Sequence, residues 1–197
     1  MKIATSKMMR ELDQKAIEVF KIPSIVLMEN AALKVLKHLD LTQSYFVIVC
    51  GKGNNGGDGL ALARHLKIAG KEVDVYYIAD DETGTPDTLV NLTICRHMKV
   101  NIILVHEESD LWDLREAIND ADVVVDALFG IGLSRPVRGI HAEVIGIINE
   151  MSRNTVSIDI PSGIQADTGE IMGTAIHANK TISFSCFKKG FLNYSTT

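Results

Sequence analysis

The segment from Gly51 to Gly59 has the residue types and spacing of an anion-binding turn. It reads GKGNNGGDG, which places five glycines in nine positions directly after the apolar run at 45–50. Glycines let the backbone approach a ligand closely, and the free N–H groups at the start of a following helix favour an anion, most simply a phosphate. Gly51, Gly53 and Gly56 satisfy the dinucleotide-binding pattern G-x-G-x-x-G. No Gly-Lys-Ser or Gly-Lys-Thr follows, which excludes a P-loop.

The other residues of this segment favour ligand chemistry over a purely structural turn. A tight strand-to-helix turn that needs glycine for positive φ stays open as the alternative. However, Asn54, Asn55 and Asp58 add two carboxamides and a carboxylate that such a turn does not need. We therefore predict that chemistry takes place beside this segment.

A second segment, DALFGIGLSRPVRG at 126–139, begins with an aspartate at the end of an apolar run and contains two arginines. A carboxylate at the end of a buried strand is costly unless a cation or hydrogen-bond donors meet it. Asp126 is therefore either a turn or helix cap or a ligand for a metal or a substrate. Arg135 and Arg138 suit phosphate binding, with a solvated surface position as the alternative.

A third segment, SIDIPSG at 157–163, also places an aspartate at the end of a β-branched run, before a rigid Pro-Ser-Gly turn. Burial in a partly dry cleft raises the proton affinity of a carboxylate, which suits Asp159 to general acid-base catalysis. The alternative is a turn cap that accepts hydrogen bonds from the N–H groups of Ser162 or Gly163.

Apolar runs of strand length alternate with helical stretches along most of the chain. The runs lie at 45–50, 73–79, 101–105, 122–126, 155–160 and 180–185, and the helical stretches lie near 60–69, 86–98, 110–119 and 139–150. This alternation predicts an α/β fold with a doubly wound, mainly parallel sheet in three α/β/α layers.

Two further helices are predicted before the first strand. Thr5 or Ser6 can cap the first of them, and the second begins at Pro23-Ser24 and extends to Leu39. The apolar face of the first helix consists of Met9, Leu12, Ala16, Ile17 and Phe20. Such amphipathic helices can pack against a second subunit, so we expect a homodimer.

The three chemical segments are expected to meet in space. In a doubly wound sheet, ligands bind at the carboxyl ends of the strands, where the strand order reverses. The segments Asn54–Asp58, Asp126–Arg138 and Asp159–Gly163 each follow or end a predicted strand. We therefore expect all three at one edge of the sheet.

Composition bounds the remaining possibilities. The chain has 197 residues, 46% of them hydrophobic, and a net charge of −5, which predicts a single globular domain over residues 1–197 without the basic surface of a nucleic-acid-binding protein. No stretch approaches the roughly 20 apolar residues of a membrane span. The widely spaced Cys50, Cys95 and Cys186 suit packing in a reducing compartment, so we expect a cytoplasmic protein.

Five motifs occur in a fixed order along nearly the whole chain. They are LMENAA at 27–32, GNNGGDG at 53–59, DALFGIGLSRPVRG at 126–139, SIDIPSG at 157–163 and FKKG at 187–190. With these motifs the chain resembles the NAD(P)H-hydrate epimerase family, also called the YjeF N-terminal domain. The resemblance implies a Rossmann-like fold and interconversion of the R and S forms of hydrated NADH and NADPH, damaged cofactors that carry an added hydroxyl on the nicotinamide ring.

The resemblance also implies site residues, position by position. Those implied to bind the substrate are Asn54, Asn55, Gly56, Gly57, Asp58, Gly130, Ile131, Gly132, Leu133, Ser134, Arg135, Pro136 and Asp159. A potassium ion is implied among Asn55, Asp126 and Ser162, whose oxygen atoms suit a hard alkali cation. Asp159 is implied to contact the altered ring, and we expect it to be the catalytic residue that donates a proton as the hydroxyl leaves.

The C-terminal part departs from the family pattern. Members have Lys-Pro-Gly where this chain has Lys188-Lys189-Gly190, and they continue into a further strand, so we expect a domain shortened at its C-terminus. Lys188 is expected to be exposed, with phosphate pairing or proton transfer as the alternative. Many bacterial members carry a fused dehydratase that clears the S form, which implies a separate dehydratase as partner.

Two other functions stay open. A nicotinamide-dependent oxidoreductase fits the glycine pattern, with Asp80 or Asp81 as a ribose partner after the second strand. A non-catalytic nucleotide-binding or scaffold module is the other, because fold does not fix function.

Overall fold

The computed structural model of the chain describes residues 2–79 and 83–193. Its helices are α1 (Ser6–Glu18), α2 (Ser24–His38), α3 (Asn54–Ile68), α4 (Pro86–His97), α5 (Leu111–Asp120) and α6 (Ile140–Met151). Its strands are β1 (Ile3–Ala4), β2 (Tyr45–Cys50), β3 (Glu72–Ile78), β4 (Asn101–Val105), β5 (Val123–Ala127), β6 (Thr155–Ile158), β7 (Lys180–Ile182) and β8 (Phe187–Lys188). Within these ranges, no helix is long and apolar enough to cross a membrane.

Six strands form one parallel sheet in the order β4-β3-β2-β5-β6-β7. The chain enters this sheet at β2 and adds β3 and β4 on one side of it. It then crosses back and adds β5, β6 and β7 on the other side of β2. The strand order therefore reverses between β2 and β5, which is where a doubly wound sheet binds its ligands. The predicted fold class is confirmed.

Alternate strand residues face two separate cores, because successive side chains of a strand point to opposite faces. Phe46, Ile48 and Cys50 of β2 pack under α2, α3 and α4, whereas Val47 and Val49 pack against α5 and α6. All five side chains are fully buried. Burying a Val, Ile or Phe side chain contributes about 1.5–3 kcal/mol each, so both helical layers are held by the sheet.

Helix α3 begins at Asn54 rather than near residue 60, so the predicted glycine loop is the start of a helix. Glycine has low helix propensity, which is why the sequence predicts a loop there. Tertiary packing outweighs this low propensity, because the helix start lies so close to its neighbours that only glycine fits. A Cβ at Gly56 would lie 1.7 Å from the carbonyl oxygen of Gly51, and a Cβ at Gly59 would lie 2.7 Å from Cβ of Ala127. The glycines let the helix start lie directly against β2 and β5.

The N-terminal segment forms a two-stranded parallel sheet that the sequence pattern did not predict. Ala4 of β1 lies opposite Lys188 of β8. Below it, the N–H and hydroxyl of Ser6 donate to Oδ1 of Asp167 at 2.6 and 3.1 Å. Two-residue strands are too short to show a periodicity. The consequence is that the N-terminus supports the strand that carries Lys188.

Helix α1 is capped by Thr5, whose side chain accepts the N–H of Met8 at 3.2 Å. Its predicted apolar face is largely open. Met9 is 5% exposed, but Leu12 is 49% exposed and Phe20, which lies beyond the end of the helix, is 64% exposed.

Candidate active site

Asp126 is fully buried near the carboxyl end of β5. Its carboxylate accepts hydrogen bonds from the Ser157 hydroxyl at 2.7 Å, the Ser162 N–H at 2.9 Å, the Ser162 hydroxyl at 2.5 Å and the Leu128 N–H at 3.2 Å. Burial raises the pKa of Asp126, and these hydrogen bonds oppose the rise because they stabilise the ionised form. The carboxylate therefore joins the end of β5 to the end of β6.

Ser162 ties the second and third predicted segments together. Besides contacting Asp126, its hydroxyl oxygen accepts the N–H of Phe129 at 2.8 Å. The next residue, Gly163, has φ +97°, and a Cβ there would lie 2.0 Å from the Thr174 carbonyl oxygen. Only glycine fits this turn without moving the backbone.

Asn55, the second residue of α3, lies beside the second segment. A Cβ at Gly130 would be 3.4 Å from Cβ of Asn55 and 3.6 Å from its Oδ1, which is ordinary contact distance. The Asn55 side chain is buried, and neither its Oδ1 nor its Nδ2 has a hydrogen-bond partner in the described part of the chain. Buried carboxamides are almost always hydrogen-bonded, so this one is available to a ligand.

Asp159 lies just past β6 with a positive φ of 68°, an uncommon backbone conformation for a residue other than glycine. Its Oδ1 forms an ion pair with Nζ of Lys188. Lys188 is 1% exposed, so the expectation that it is exposed is wrong. Its Nζ also donates to Oγ of Ser183 at 2.9 Å and to the Phe184 carbonyl at 3.3 Å. Pairing with β1 carries this lysine into the interior.

The turn-cap alternative for Asp159 does not match these contacts. The Ser162 N–H donates to Asp126 at 2.9 Å instead. Asp159 faces the buried ammonium and, at 3.5 Å, the N–H of Phe184. Its carboxylate is therefore directed toward the segment after β7 rather than along its own turn.

Asp58, one turn into α3, lies within electrostatic range of this ion pair. Burial is the main cause that raises the pKa of Asp58 well above its usual value, followed by the negative charges of Asp159 and Asp13, while Lys188 lowers it. The pKa of Asp13 on α1 is raised for similar reasons. Desolvation is the main cause, the charge of Asp159 adds to it, and the charge of Lys188 opposes it. Four ionisable groups from four parts of the chain thus interact here.

The sequence did not single out Asp13, and it offered phosphate pairing or proton transfer by Lys188 only as the alternative to an exposed lysine. Asp13 belongs to no motif, and Lys188 lies in FKKG, which shows no charged partner for it within its own element. Both reach the site through the N-terminal segment, Asp13 on α1 and Lys188 on the strand that pairs with β1. The small clue in the sequence was the FKKG motif, which does not distinguish Lys188 from Lys189.

The segment from Gly130 to Pro136 is half-buried to exposed, and its first residue lies beside Asn55. Ile131 packs against the small apolar group around Ile160 and Ile164, while Arg135 is exposed. Neither Arg135 nor Arg138 forms an ion pair with a residue in 2–79 or 83–193, so both are available to an anion. Asp80 and Asp81, the ribose partners of the oxidoreductase alternative, lie outside the described residues.

The three predicted segments thus lie at one edge of the sheet, around the point between β2 and β5 where the strand order reverses. Asn55 meets Gly130, Asp126 meets Ser162, and Asp159 lies three residues before Ser162. The arrangement offers oxygen ligands, carboxylates in different surroundings, and helix N–H groups for an anion.

Comparisons with known proteins agree with this arrangement. A family model described as YjeF-related protein N-terminus matches residues 24–190. The NAD(P)H-hydrate epimerase of Anaerococcus prevotii is 39% identical over 191 residues, which cover 96% of this chain and 88% of that protein. The NAD(P)H-hydrate epimerase of Levilactobacillus brevis is 42% identical over 183 residues, with 91% and 81% covered.

A longer relative is named as a bifunctional enzyme. The bifunctional NAD(P)H-hydrate repair enzyme Nnr of Moorella thermoacetica is 42% identical over 198 residues, covering 98% of this chain but 37% of that protein. The crystal structure of yeast ynu0 superposes with a TM-score of 0.84 at 24% identity, covering 99% of this chain and 85% of that one, and so shows the same fold. The family model and the close relatives together show that the chain belongs to the YjeF-related protein N-terminus family.

Proposed function

We propose that this chain is an NAD(P)H-hydrate epimerase, an isomerase that interconverts the R and S forms of hydrated NADH and NADPH and so takes part in cofactor repair. The names of its relatives at about 40% identity support this activity. The observation that carries it is that the segments of Asn55, Asp126 and Asp159 lie at the edge where the strand order reverses. There Asn55 lies beside Gly130, Asp126 accepts from Ser162, and Asp159 pairs with Lys188.

Binding of the hydrated dinucleotide falls to two segments. The segment Asn54–Asp58 begins α3, and the free N–H groups at the first residues of this helix favour a pyrophosphate. Gly130–Pro136 lie across from them and add the exposed guanidinium of Arg135, which suits phosphate. Between these segments, Asp159 contacts the altered ring.

A potassium ion fits the oxygen atoms of Asn55, Asp126 and Ser162. The unpaired carboxamide of Asn55 supports a ligand at this position, and an oxygen-only donor set suits an alkali cation better than zinc. When bound, the ion supplies positive charge beside a buried carboxylate. Asp126, Ser162 and Asn55 also have a structural role, because their contacts hold the turn after β5 near the start of α3.

Asp159 performs acid-base chemistry at the ring hydroxyl. As the hydroxyl leaves with a proton, the lone pair of the ring nitrogen stabilises the planar cation, and water returns to the other face. Proton transfer of this kind contributes roughly 10²- to 10⁴-fold in rate. The redox state of the cofactor does not change, which separates this activity from that of a nicotinamide-dependent oxidoreductase.

The activity is tested with a mixture of R and S hydrates from which the S form has been removed. Chromatography follows the return of the S form with and without protein and potassium. We expect the wild-type chain to accelerate this return, and Asp159→Asn to lower kcat at least about 10²-fold while hydrate binding survives. No acceleration by the wild-type chain would refute the function, and a fully active Asp159→Asn variant would remove Asp159 from the mechanism.

The potassium site has a readout besides activity. A ligand that binds the folded state raises the Tm, so potassium chloride should raise it more than choline chloride of equal ionic strength. Asn55→Ala should abolish the difference. An equal Tm in both salts for the wild-type chain would contradict a potassium site.

Partners and location belong to the same proposal. The Moorella relative is named a bifunctional repair enzyme, so a separate dehydratase that consumes the S form is the expected partner here. A homodimer would cover the exposed side chains of Leu12, Val19 and Phe20. The three cysteines of the chain are free thiols, which fits the reducing cytoplasm.

A further inference from the structure

The contacts of Lys188 determine what surrounds the carboxylate of Asp159. Its Nζ has three acceptors, which are Oδ1 of Asp159, Oγ of Ser183 and the carbonyl of Phe184. Three donated hydrogen bonds use all three N–H groups of an ammonium. A buried ammonium requires a negative partner, and the carboxylate of Asp159 supplies it. With its Oδ1 accepting a hydrogen bond from Lys188, Asp159 acts here as an acceptor and is poorly placed to give a proton.

Asp58 has the opposite surroundings. Within 2–79 and 83–193, its carboxyl group makes no side-chain hydrogen bond and no ion pair, although Asp159 and Asp13 lie within electrostatic range. Only Asp159 contacts the ammonium, and Asp58 is half-buried without such a partner, so among these carboxyl groups it holds a proton more readily than Asp159 does. Asp58 is the fifth residue of α3, so it lies beyond the free N–H groups that would favour its anion.

We propose that Asp58 is a second catalytic residue: its carboxylic acid protonates the departing ring hydroxyl, and the Asp159 carboxylate takes the proton of the returning water. This assignment rests on the proposed epimerase function. Acid and base roles of this kind usually arise where different surroundings give two carboxyl groups different pKa values.

The two steps balance in atoms and electrons. In the first, the bond between the ring carbon and the hydroxyl oxygen breaks, the oxygen takes the Asp58 proton and leaves as water, and the nitrogen lone pair forms a C=N bond. In the second, a water oxygen bonds to that carbon from the other face, its proton passes to Asp159, and the electron pair returns to nitrogen. The proton then moves from Asp159 back to Asp58, or the two residues exchange tasks in the reverse direction.

Kinetics of Asp58→Asn test the assignment. We expect kcat to fall by about 10²- to 10⁴-fold with little change in KM, because the amide keeps the shape but has no acidic proton. Since Asp58 must be protonated, the wild-type kcat should fall as pH rises through its pKa, and the variant should lose this alkaline fall. Asp58→Glu, which restores an acid, should recover part of the rate. The matched control Asp113→Asn, an exposed aspartate of α5, should behave as wild type.

A direct titration separates this inference from the epimerase function. Carbon-13 labelling of aspartate carboxyl groups, with Asp58→Asn to assign the resonance, should show a protonated Asp58 and an ionised Asp159 at neutral pH. An ionised Asp58, or an Asp58→Asn variant with the wild-type kcat and pH profile, would overturn the assignment while leaving the epimerase function in place. A wild-type chain that fails to epimerise the hydrates would overturn both the function and the catalytic role.

Discussion

The carboxylates of the site differ in what surrounds them, and this difference decides what each can do. Asp126 accepts four hydrogen bonds from the turns around it, so it organises the strand ends. Asp159 pairs with a buried ammonium. Among the residues that the structure describes, Asp58 has neither kind of partner. Residue type alone makes these three aspartates equivalent, and only their neighbours support the different roles proposed for them.

Asp58 should reduce the stability of the fold at neutral pH. Its folded-state pKa is raised above the usual value, so its contribution is favourable below the unfolded pKa of about 3.9 and is lost as pH rises above it. Asp58→Asn should therefore raise the Tm at pH 7, and the gain should shrink as pH falls toward 4. Calorimetry across this pH range measures it. An equal Tm for both proteins at pH 7 would mean that Asp58 is not desolvated in the folded state.

Lys188→Met should damage both stability and activity. Removing one partner of a buried ion pair costs about 3–5 kcal/mol, because the other charge is left uncompensated. The free energy of unfolding in urea should fall by this order, and kcat should fall with it because Asp159 loses its position. The neighbouring Lys189→Met is the matched control, since Lys189 is exposed. Equal effects of the two substitutions would contradict the buried ion pair.

At the scale of elements, the start of α3 is determined by packing rather than by propensity. Gly56 and Gly59 leave room for the backbone of Gly51 and for the side chains of Cys50 and Ala127. A helix with these glycines is poor in isolation, and its contacts with β2 and β5 provide the stability. The same close approach brings Asn55 beside Gly130 and so builds the site.

Two glycine substitutions in helices should have opposite effects. Gly56→Ala forces a Cβ into the Gly51 carbonyl, and overpacking of this kind costs about 1–3 kcal/mol. Gly146→Ala in α6, where a Cβ would meet nothing within 4 Å, should stabilise the chain by up to about 1 kcal/mol. Urea unfolding of both variants measures the difference. A stabilising Gly56→Ala would show that α3 can move away from β2 without cost.

At the scale of the whole molecule, the N-terminal region leaves several large apolar side chains exposed to water. Leu12, Val19 and Phe20 are 49%, 63% and 64% exposed. A second copy of the chain would remove this apolar area from water. We expect light scattering to show a dimer, and Leu12→Glu with Phe20→Glu to give a monomer. A wild-type monomer at micromolar concentration would contradict this.

The sequence predicts the central fold well because each of its signals is local. Continuous apolar runs such as Val123-Val124-Val125 indicate buried parallel strands, and the six predicted strands form one sheet. The family prediction is confirmed by the match over residues 24–190. The single domain over residues 1–197 and the roles of the site residues stay predictions, and Tyr194–Thr197 lie outside the described residues.

Periodicity and motif spacing were thus sufficient for the sheet and for placing the three chemical segments at one edge of it, because these follow from the order of side chains along the chain. The start of α3 at Asn54, the buried position of Lys188 and the approach of Asp13 required tertiary structure. They depend on contacts between residues far apart in sequence: Ala4 opposite Lys188 in one strand pair, and a helix packed on glycine. Burial and the neighbouring charges then assign different chemistry to aspartates that the sequence alone cannot tell apart.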